Sequence, residues 1–401
     1  MTPLPDSSWR RAEGMDRLME ALGADKGMIR FVGGAVRDSL LGLPVKDVDC
    51  ATRWRPEQSS EHIVAAGFKA IPTGIAHGTV TALLPSGPVE VTTLRRDLST
   101  DGRHATVAFT DEWREDAARR DFTINALSAD PVTGDLFDYF GGLDDLHAGR
   151  VRFIGDALQR IAEDHLRIMR FFRFHERFGR GAPDPDALAA CLARANDLMA
   201  LSRERIADEL LKLLGGANPA PTIRLMFDNG IFRPIIPEID SSGVDRLTRI
   251  ITREGQSGTR PDALRRLGAL LPASAETAVS IARRLKLSKA ATRRLELSAG
   301  GDSGPAHALA YRFGNDVATD LLLRGDGDIE GLDLDALAVW ERPRLSLGGG
   351  ELIAMGLRPG PIVAATLQQV ERQWVEEGFP DSERVSVLAR EAVDQALRSR
   401  Q

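Results

Sequence analysis

Strand-like patterning is confined to the first 155 residues of this chain, and beyond Asp156 only helical spacing remains. That asymmetry leaves few architectures open: a mixed α/β head followed by an all-helical remainder, an α+β arrangement. The run Met28–Ile29–Arg30–Phe31–Val32 reads as a strand that stops at Gly33–Gly34, and Val36, Leu40 and Leu41 then carry helical spacing up to Gly42. Further strands are predicted over 45–50, 79–84 and 89–94, the last two joined by the turn Pro85–Ser86–Gly87–Pro88, with a helix over 57–66 before them. A short helix over 7–24, capped by Asp6 or Ser8, precedes the first strand. After Asp156 the spacing predicts one long helix over 158–178 and two more over 185–199 and 202–214, the last entering at Ser202 and stopping at Gly215–Gly216.

Composition narrows the chemistry. Fifty-two basic against 58 acidic residues give a net charge of −6, which excludes a globally basic nucleic-acid coat but not a local basic groove. Forty-six of the basic residues are arginines, so phosphate contacts are expected to fall on Arg. Cys50 and Cys191 are too few for a disulfide framework or a four-thiolate zinc site. No apolar run reaches 18 residues and the N-terminus has no apolar signal core, so no membrane partner and a cytoplasmic location are expected.

The most informative local pattern is Asp47–Val48–Asp49. On a strand, alternate side chains share a face, so the two carboxylates converge, and such a pair is costly unless a divalent cation lies between them. Glu90, on the strand Val89–Thr93, is a candidate third carboxylate. By itself Asp-x-Asp reads as easily as a solvated strand edge. Upstream, however, Phe31–Val32–Gly33–Gly34–Ala35–Val36–Arg37–Asp38 is a strand, two glycines and a helix start, where backbone N–H groups approach an anion closely and Arg37 adds a cation. Together the two segments suit a triphosphate held against metal.

Two further constellations follow. Arg119–Arg120–Asp121–Phe122–Thr123–Ile124–Asn125–Ala126–Leu127 places Arg120 as a phosphate grip, against the plainer reading of a solvated basic pair at a helix entry. In Glu163–Asp164–His165–Leu166–Arg167–Ile168–Met169–Arg170–Phe171–Phe172–Arg173, the arginines Arg167, Arg170 and Arg173 form one helical stripe with Asp164 at its N-terminal end. The plain reading is a surface i,i+3 ion pair worth little. The chemical reading is that a fixed Asp164–Arg167 pair offers an acceptor beside a donor. Cytosine and adenine both match that edge, with an amino group beside a ring nitrogen; uracil and guanine do not. Farther on, Arg283, Arg284, Lys286, Lys289, Arg293 and Arg294 fall in a stretch without acids between Thr277 and Leu295, a candidate RNA contact or simply a solvated face.

The segments GGAVRD followed by DVD, RRDFTINAL and EDHLRIMRFFRF resemble the class II CCA-adding tRNA nucleotidyltransferases, relatives of bacterial poly(A) polymerases. The likeness is clear over 28–215 and weaker at Leu345–Leu352 and Leu357–Pro361. It implies a polymerase-β-like nucleotidyltransferase head at 28–155 after an N-terminal extension at 1–27, a neck at 156–217, a tRNA-binding body at 218–335 and a tail at 336–401. It further implies that Asp47 and Asp49 hold Mg²⁺. Gly33, Gly34, Arg37 and Arg120 would bind the nucleotide's phosphates, and Asp164, Arg167, Arg170 and Arg173 would bind the base of CTP or ATP. Arg95 to Thr110, with Asp101–Gly102–Arg103–His104, resembles the family's flexible loop. tRNA is the implied partner; oligomeric state is not implied.

The nearest alternatives are poly(A) addition and partial, CC-only or A-only, addition; Gly74–Ile75–Ala76–His77–Gly78–Thr79–Val80 resembles the CCA-adding form. A catalytically inactive RNA-binding protein is disfavoured by the intact Asp47, Asp49 and Arg167. A P-loop ATPase is excluded because Gly–Lys never occurs, and no His is followed by Asp, as a metal phosphohydrolase domain would require.

Overall fold

The computed structural model describes residues 3–100, 105–329 and 331–398. The chain separates into two compact units, Met1–Ile235 and Ile236–Gln401. Unit one holds all nine strands found among the described residues, in agreement with the α+β expectation.

Seven strands form one sheet: β1 (Ile29–Val32), β2 (Val48–Thr52), β3 (Lys69–Gly74), β4 (Thr79–Leu84), β5 (Gly87–Thr93), and the short β8 (Ser128–Ala129) and β9 (Leu136–Phe137). Their order is β3-β4-β5-β2-β1-β8-β9, and β6 (Arg95–Thr100) and β7 (Ala105–Phe109) form a separate hairpin. Every pairing in the large sheet is antiparallel except β2 with β5. A parallel pair needs a crossover, and here it runs through α3 (Pro56–Ala65), β3 and β4. Alternation along each strand then sorts the two faces. Phe31, Cys50, Val91 and Val80 lie in register across one face, each at most 1% exposed. The next row, on the other face, is Val32, Asp49, Glu90 and Thr81. One side of the sheet is therefore core, and the other carries the carboxylates of Asp49 and Glu90.

The N-terminal helix is shorter than its sequence suggests, with α1 spanning only Met15–Ala21 behind Gly14, which adopts a left-handed φ of 91°. The helices α2 (Gly34–Leu40), α4 (Trp113–Ala118) and α5 (Gly142–Ala148) complete the head.

The long helix expected over 158–178 is broken. It consists of α6 (Ala157–Glu163) and α7 (Arg167–Phe178), separated at Asp164, whose backbone is extended (φ −152°, ψ 105°). The Asp164 carboxylate accepts the Leu166 N–H at 3.1 Å, and its carbonyl accepts the Arg167 N–H at 3.0 Å. A short acidic side chain competing for nearby backbone donors ends one helix and starts the next. Helix α7 buries Ile168, Met169, Phe171, Phe172, Phe174 and Phe178. Its rings meet head residues: Phe122 lies 5.2 Å from Phe174 and 6.5 Å from Phe171, and Phe153 stacks on Phe171 at 6.0 Å. The unit is completed by α8 (Pro185–Ala193), α9 (Arg203–Leu214) and α10 (Ala220–Asp228).

Unit two is helical throughout its described residues. The helices α11 (Ser241–Ser257), α12 (Ala263–Leu270), α13 (Ala275–Arg284), α14 (Lys289–Ala299), α15 (Ala306–Phe313) and α16 (Asn315–Arg324) are followed by α17 (Leu334–Ala338), α18 (Gly349–Ala354), α19 (Pro361–Glu376) and α20 (Ser382–Arg398). No helix is long and apolar enough to cross a membrane among the described residues. An ionic network runs through its interior: Glu254 pairs with Arg265 and Arg266 at 2.8 Å each, and Asp320 pairs with Arg265 at 3.0 Å and Arg294 at 2.7 Å. Removing one partner of a buried pair strands the other's charge, at about 3–5 kcal/mol. Glu254→Gln is therefore expected to destabilise unit two by about that amount, read as a shift in its denaturant-unfolding transition.

Candidate active site

The chemical face of the sheet begins at the β2–β5 ladder. Asp49 and Glu90 are register partners in that parallel pair, on strands about 4.8 Å apart. Asp47 lies one residue before β2, because the strand runs Val48–Thr52 and not 45–50. It is exposed, whereas Asp49 is half-buried. Burial first, then the charges of Glu90 and Asp47, push the Asp49 carboxyl above its ordinary range, and only Arg120 pulls it back. A carboxyl raised by burial and by neighbouring carboxylates fits a site completed by a cation. Among the described residues no three carboxylate, histidine or thiol side chains gather closely enough to hold a metal by themselves. A Mg²⁺ site needs only one or two carboxylates when substrate phosphates and water supply the rest.

Above this corner sits the turn after β1. Gly33 has φ 68° and ψ −126°, a conformation that L side chains rarely adopt. A Cβ there would come within 2.7 Å of Arg120 Nη1, so the backbone calls for glycine and any side chain would also push the covering guanidinium aside. Arg120 also donates to the Asn125 carbonyl at 3.3 Å and lies 3.7 Å from Asp116. Burial lowers its pKa, while Asp116 and Asp49 work to raise it. The guanidinium thus stands between the glycine turn and the Asp49 carboxylate.

Arg37 is placed differently from the sequence expectation. It is 6% exposed, its Nε and Nη2 hold Asp38 at 2.8 and 2.7 Å, its Nη1 donates to Asn125 Oδ1, and it lies over the Phe178 ring at 4.2 Å. Its Nε, Nη1 and Nη2 are each engaged by Asp38 or Asn125 inside the protein, beside the Gly34 turn.

The side-chain pair expected between Asp164 and Arg167 is also absent, because the helix break separates them. Asp164 Oδ2 accepts from Arg205 of α9 at 2.9 Å, and Arg167 donates to Glu163 at 2.6 Å and to the Arg160 carbonyl at 2.7 Å. Each is fixed by its own partner. The stripe continues with Arg170 on Asp121 at 2.6 Å and Arg173 on Glu209 at 2.6 Å. Sequence reasoning missed Glu163, Arg205 and Glu209. Glu163 stands four before Arg167, the usual spacing of a helical ion pair, and that was its only signal.

The basic stretch of unit two does not stand free of acids. Carboxylates arrive from other elements: Arg284 pairs with Glu238 at 2.6 Å, and Arg294 with Asp262 at 3.0 Å and Asp320 at 2.7 Å. Arg293 is exposed and pairs within its helix with Glu296 at 2.8 Å. Arg294 therefore belongs to the interior network and not to an RNA-facing surface. Arg283, Lys286 and Lys289 are exposed. Residues 101–104 of the expected flexible loop lie outside the described residues.

A mixed sheet bearing offset carboxylates, a glycine turn and a covering arginine defines a nucleotidyltransferase head. The family described as "Poly A polymerase head domain" matches residues 29–152, and "Probable RNA and SrmB- binding site of polymerase A" matches 182–242. The chain is 36% identical over 385 residues to mouse (Mus musculus) mitochondrial CCA tRNA nucleotidyltransferase 1, covering 92% of this chain and 87% of that protein. It is 31% identical over 377 residues to the CCA-adding enzyme of Latilactobacillus sakei, covering 88% and 91%. The Bacillus stearothermophilus CCA-adding enzyme, solved in complex with CTP, superposes with a TM-score of 0.74 at 26% identity over 96% of each chain. The chain belongs to the CCA tRNA nucleotidyltransferase family. These relatives also correct the expected location. The mouse, human and zebrafish proteins are mitochondrial, against the cytoplasmic placement. An apolar signal core marks secretory leaders alone, whereas organelle-targeting segments are amphipathic and Arg-rich, so the expectation of a cytoplasmic location had no basis in that feature.

Asp121 offers a test of the site's electrostatics. Burial opposes its ionisation, yet Arg170, Asn125 and the Phe122 N–H hold its carboxyl below the ordinary range. A carboxyl depressed on folding lends stability above its unfolded pKa, about 3.9, and loses it as pH falls through the folded value. Asp121→Asn is expected to lower the thermal midpoint by a few degrees at pH 7, with the gap to the unsubstituted protein closing below about pH 4.

Proposed function

We propose that this protein adds C, C and A in turn to the 3′ end of tRNA, using CTP and ATP and releasing pyrophosphate. The observation that carries the reading is the arrangement at the start of α7. Asp164 and Arg167 are each fixed by a different partner, Arg205 and Glu163, and each keeps hydrogen-bonding capacity for a base. An ionised carboxylate has about four acceptor sites and a guanidinium five donors. Two of the former and three of the latter are used internally, Arg167 also donating to the Arg119 carbonyl at 3.5 Å, which leaves two of each open to a base. Asp164 accepts from the amino group of cytosine or adenine while Arg167 donates to the adjacent ring nitrogen. Uracil and guanine would set donor against donor and acceptor against acceptor, and each polar group left unpaired costs about 1–3 kcal/mol.

At the other end of the nucleotide, Arg120 and the Gly33–Gly34 turn hold the triphosphate, and Asp47 and Asp49 would hold Mg²⁺. When bound, the metal would lower the pKa of the tRNA 3′-hydroxyl and offset charge on the departing pyrophosphate. The 3′-oxygen forms a bond to the α-phosphorus as the bond to the β-phosphate bridge breaks; no covalent enzyme intermediate is involved. Glu90, exposed beside Asp49, acts through its charge on that carboxyl. Arg170 and Arg173 hold α7 in place and do not touch the base. For the RNA, unit two offers the exposed Arg283, Lys286, Lys289 and Arg293, whereas Arg284 and Arg294 are taken up by acids from other elements.

The test is incubation with a tRNA lacking its 3′ end, CTP and ATP together, and sequencing of the product. CCA is expected; a run of A would support poly(A) addition, and a product stopping at CC or extended only by A would support a partial enzyme. Asp49→Asn is expected to lose addition by at least a thousandfold while retaining tRNA binding, and near-normal turnover would remove the metal assignment.

A further inference from the structure

The three chemically informative segments of unit one are joined by a continuous line of side-chain hydrogen bonds. Its centre is Asn125, 8% exposed, in the single helical turn Thr123–Asn125. Asn125 Oδ1 accepts from Arg37 Nη1, and Asn125 Nδ2 donates to Asp121 Oδ1 at 2.9 Å. Because Arg37 can only donate and an ionised Asp121 can only accept, the amide has one orientation. A carboxylate in its place would oppose Asp121, and a shorter side chain would not span the two groups.

From this centre the line reaches α7 twice. On one side, Asp121 Oδ2 accepts from Arg170 Nε at 2.7 Å and Nη2 at 2.6 Å. On the other, Arg37 holds Asp38, whose second oxygen accepts from Arg177 Nη2 at 3.1 Å. Arg170 and Arg177 are seven residues apart, two turns or about 10 Å along the helix. Anchors at two levels resist both sliding of α7 along its axis and rotation about it. Arg37 lies over Phe178 at 4.2 Å and Phe174 at 5.3 Å, closing the space between the anchors. Arg37 and Asp38 both belong to α2, the helix that begins at the Gly33–Gly34 turn. The line therefore ties the phosphate turn directly to the helix on which Arg167 stands, one turn before Arg170.

We propose that Arg37, Asn125, Asp121 and Asp38 form a positioning relay that sets the distance between the triphosphate grip and the base-reading end of α7, with Asn125 as the residue on which nucleotide selection depends without touching the base. The proposal rests on the base-reading role given to Asp164 and Arg167 above. The physical reason is geometric. A nucleotide is held at its phosphates and at its base by elements more than 100 residues apart in sequence. Base discrimination by two hydrogen bonds survives only while their separation from the phosphates is fixed; a shift of about 1 Å can cost a hundredfold. With the relay cut, α7 remains seated on its aromatic face but is free to adjust, so a mismatched base finds a tolerable pose.

The experiment compares kcat/KM for CTP and UTP on one tRNA substrate in the unsubstituted protein, in Asn125→Ala and in Arg177→Gln. Asn125→Ala is expected to lower the CTP/UTP ratio about tenfold or more, beyond any common loss of rate. Arg177 is exposed, so Arg177→Gln keeps the fold and is expected to lower the same ratio about threefold. If both substrates lose the same factor in each variant, the relay is only structural and the proposal falls. If Asn125→Ala does not fold, Arg177→Gln decides alone: an unchanged ratio overturns the relay. An unsubstituted protein that adds neither C nor A would overturn the proposed function instead, a result visible before either variant is read.

Discussion

The seating of α7 on the head is the interaction on which the rest of the site depends. Phe122 and Phe153, from the head, meet Phe171 and Phe174, from the helix, at ring separations of 5.2 to 6.5 Å. Aromatic contacts of this kind contribute area burial and a geometric preference together. They bring the segment that begins at Asp164 onto the same unit as the β2–β5 carboxylates. Without that seat, the corner proposed to hold phosphate and the residues proposed to read the base would be two unrelated features of one chain. With it, both lie on one unit, as the proposed nucleotide site requires.

Electrostatics then sharpen what packing places. This chain uses forty-six arginines, and many are internal struts. Arg37, Arg167 and Arg266 are each 9% exposed or less, and each is held by a carboxylate. A guanidinium can satisfy several acceptors at fixed angles, which makes it a rigid connector between elements. The cost of desolvating each charge is met only where the partners are complete, and along α7 they are. Arg120 is the exception in role: it covers the glycine turn and faces Asp49.

The α+β division and the strand–Gly–Gly–helix turn were legible in the sequence because each rests on local rules: strand alternation and glycine at a positive φ. The expectation that Asp47 and Asp49 share one strand was not met, since β2 begins at Val48. The β2–β5 pairing was not. Which strand lies beside β2 is a long-range matter, so Glu90 was a candidate whose distance from Asp49 only the parallel register supplies. The helix break at Asp164 was hidden because the apolar residues on both sides keep helical spacing through it. That break turned an expected Asp164–Arg167 pair into two separately anchored residues. Likewise, the acid-free stretch of unit two read as a basic face only because Glu238, Asp262 and Asp320 lie elsewhere in sequence. Charge runs in one dimension do not report the partners that folding brings.

The central claim is that protein side chains, and not a nucleic-acid template, choose the base. It is tested most directly by measuring the affinities of CTP, ATP, UTP and GTP for the full chain with Mg²⁺ and no tRNA present. The account expects CTP and ATP to bind about tenfold or more tightly than UTP and GTP, since even one mismatched polar group costs about 1–3 kcal/mol. Equal affinities for all four nucleotides would contradict it.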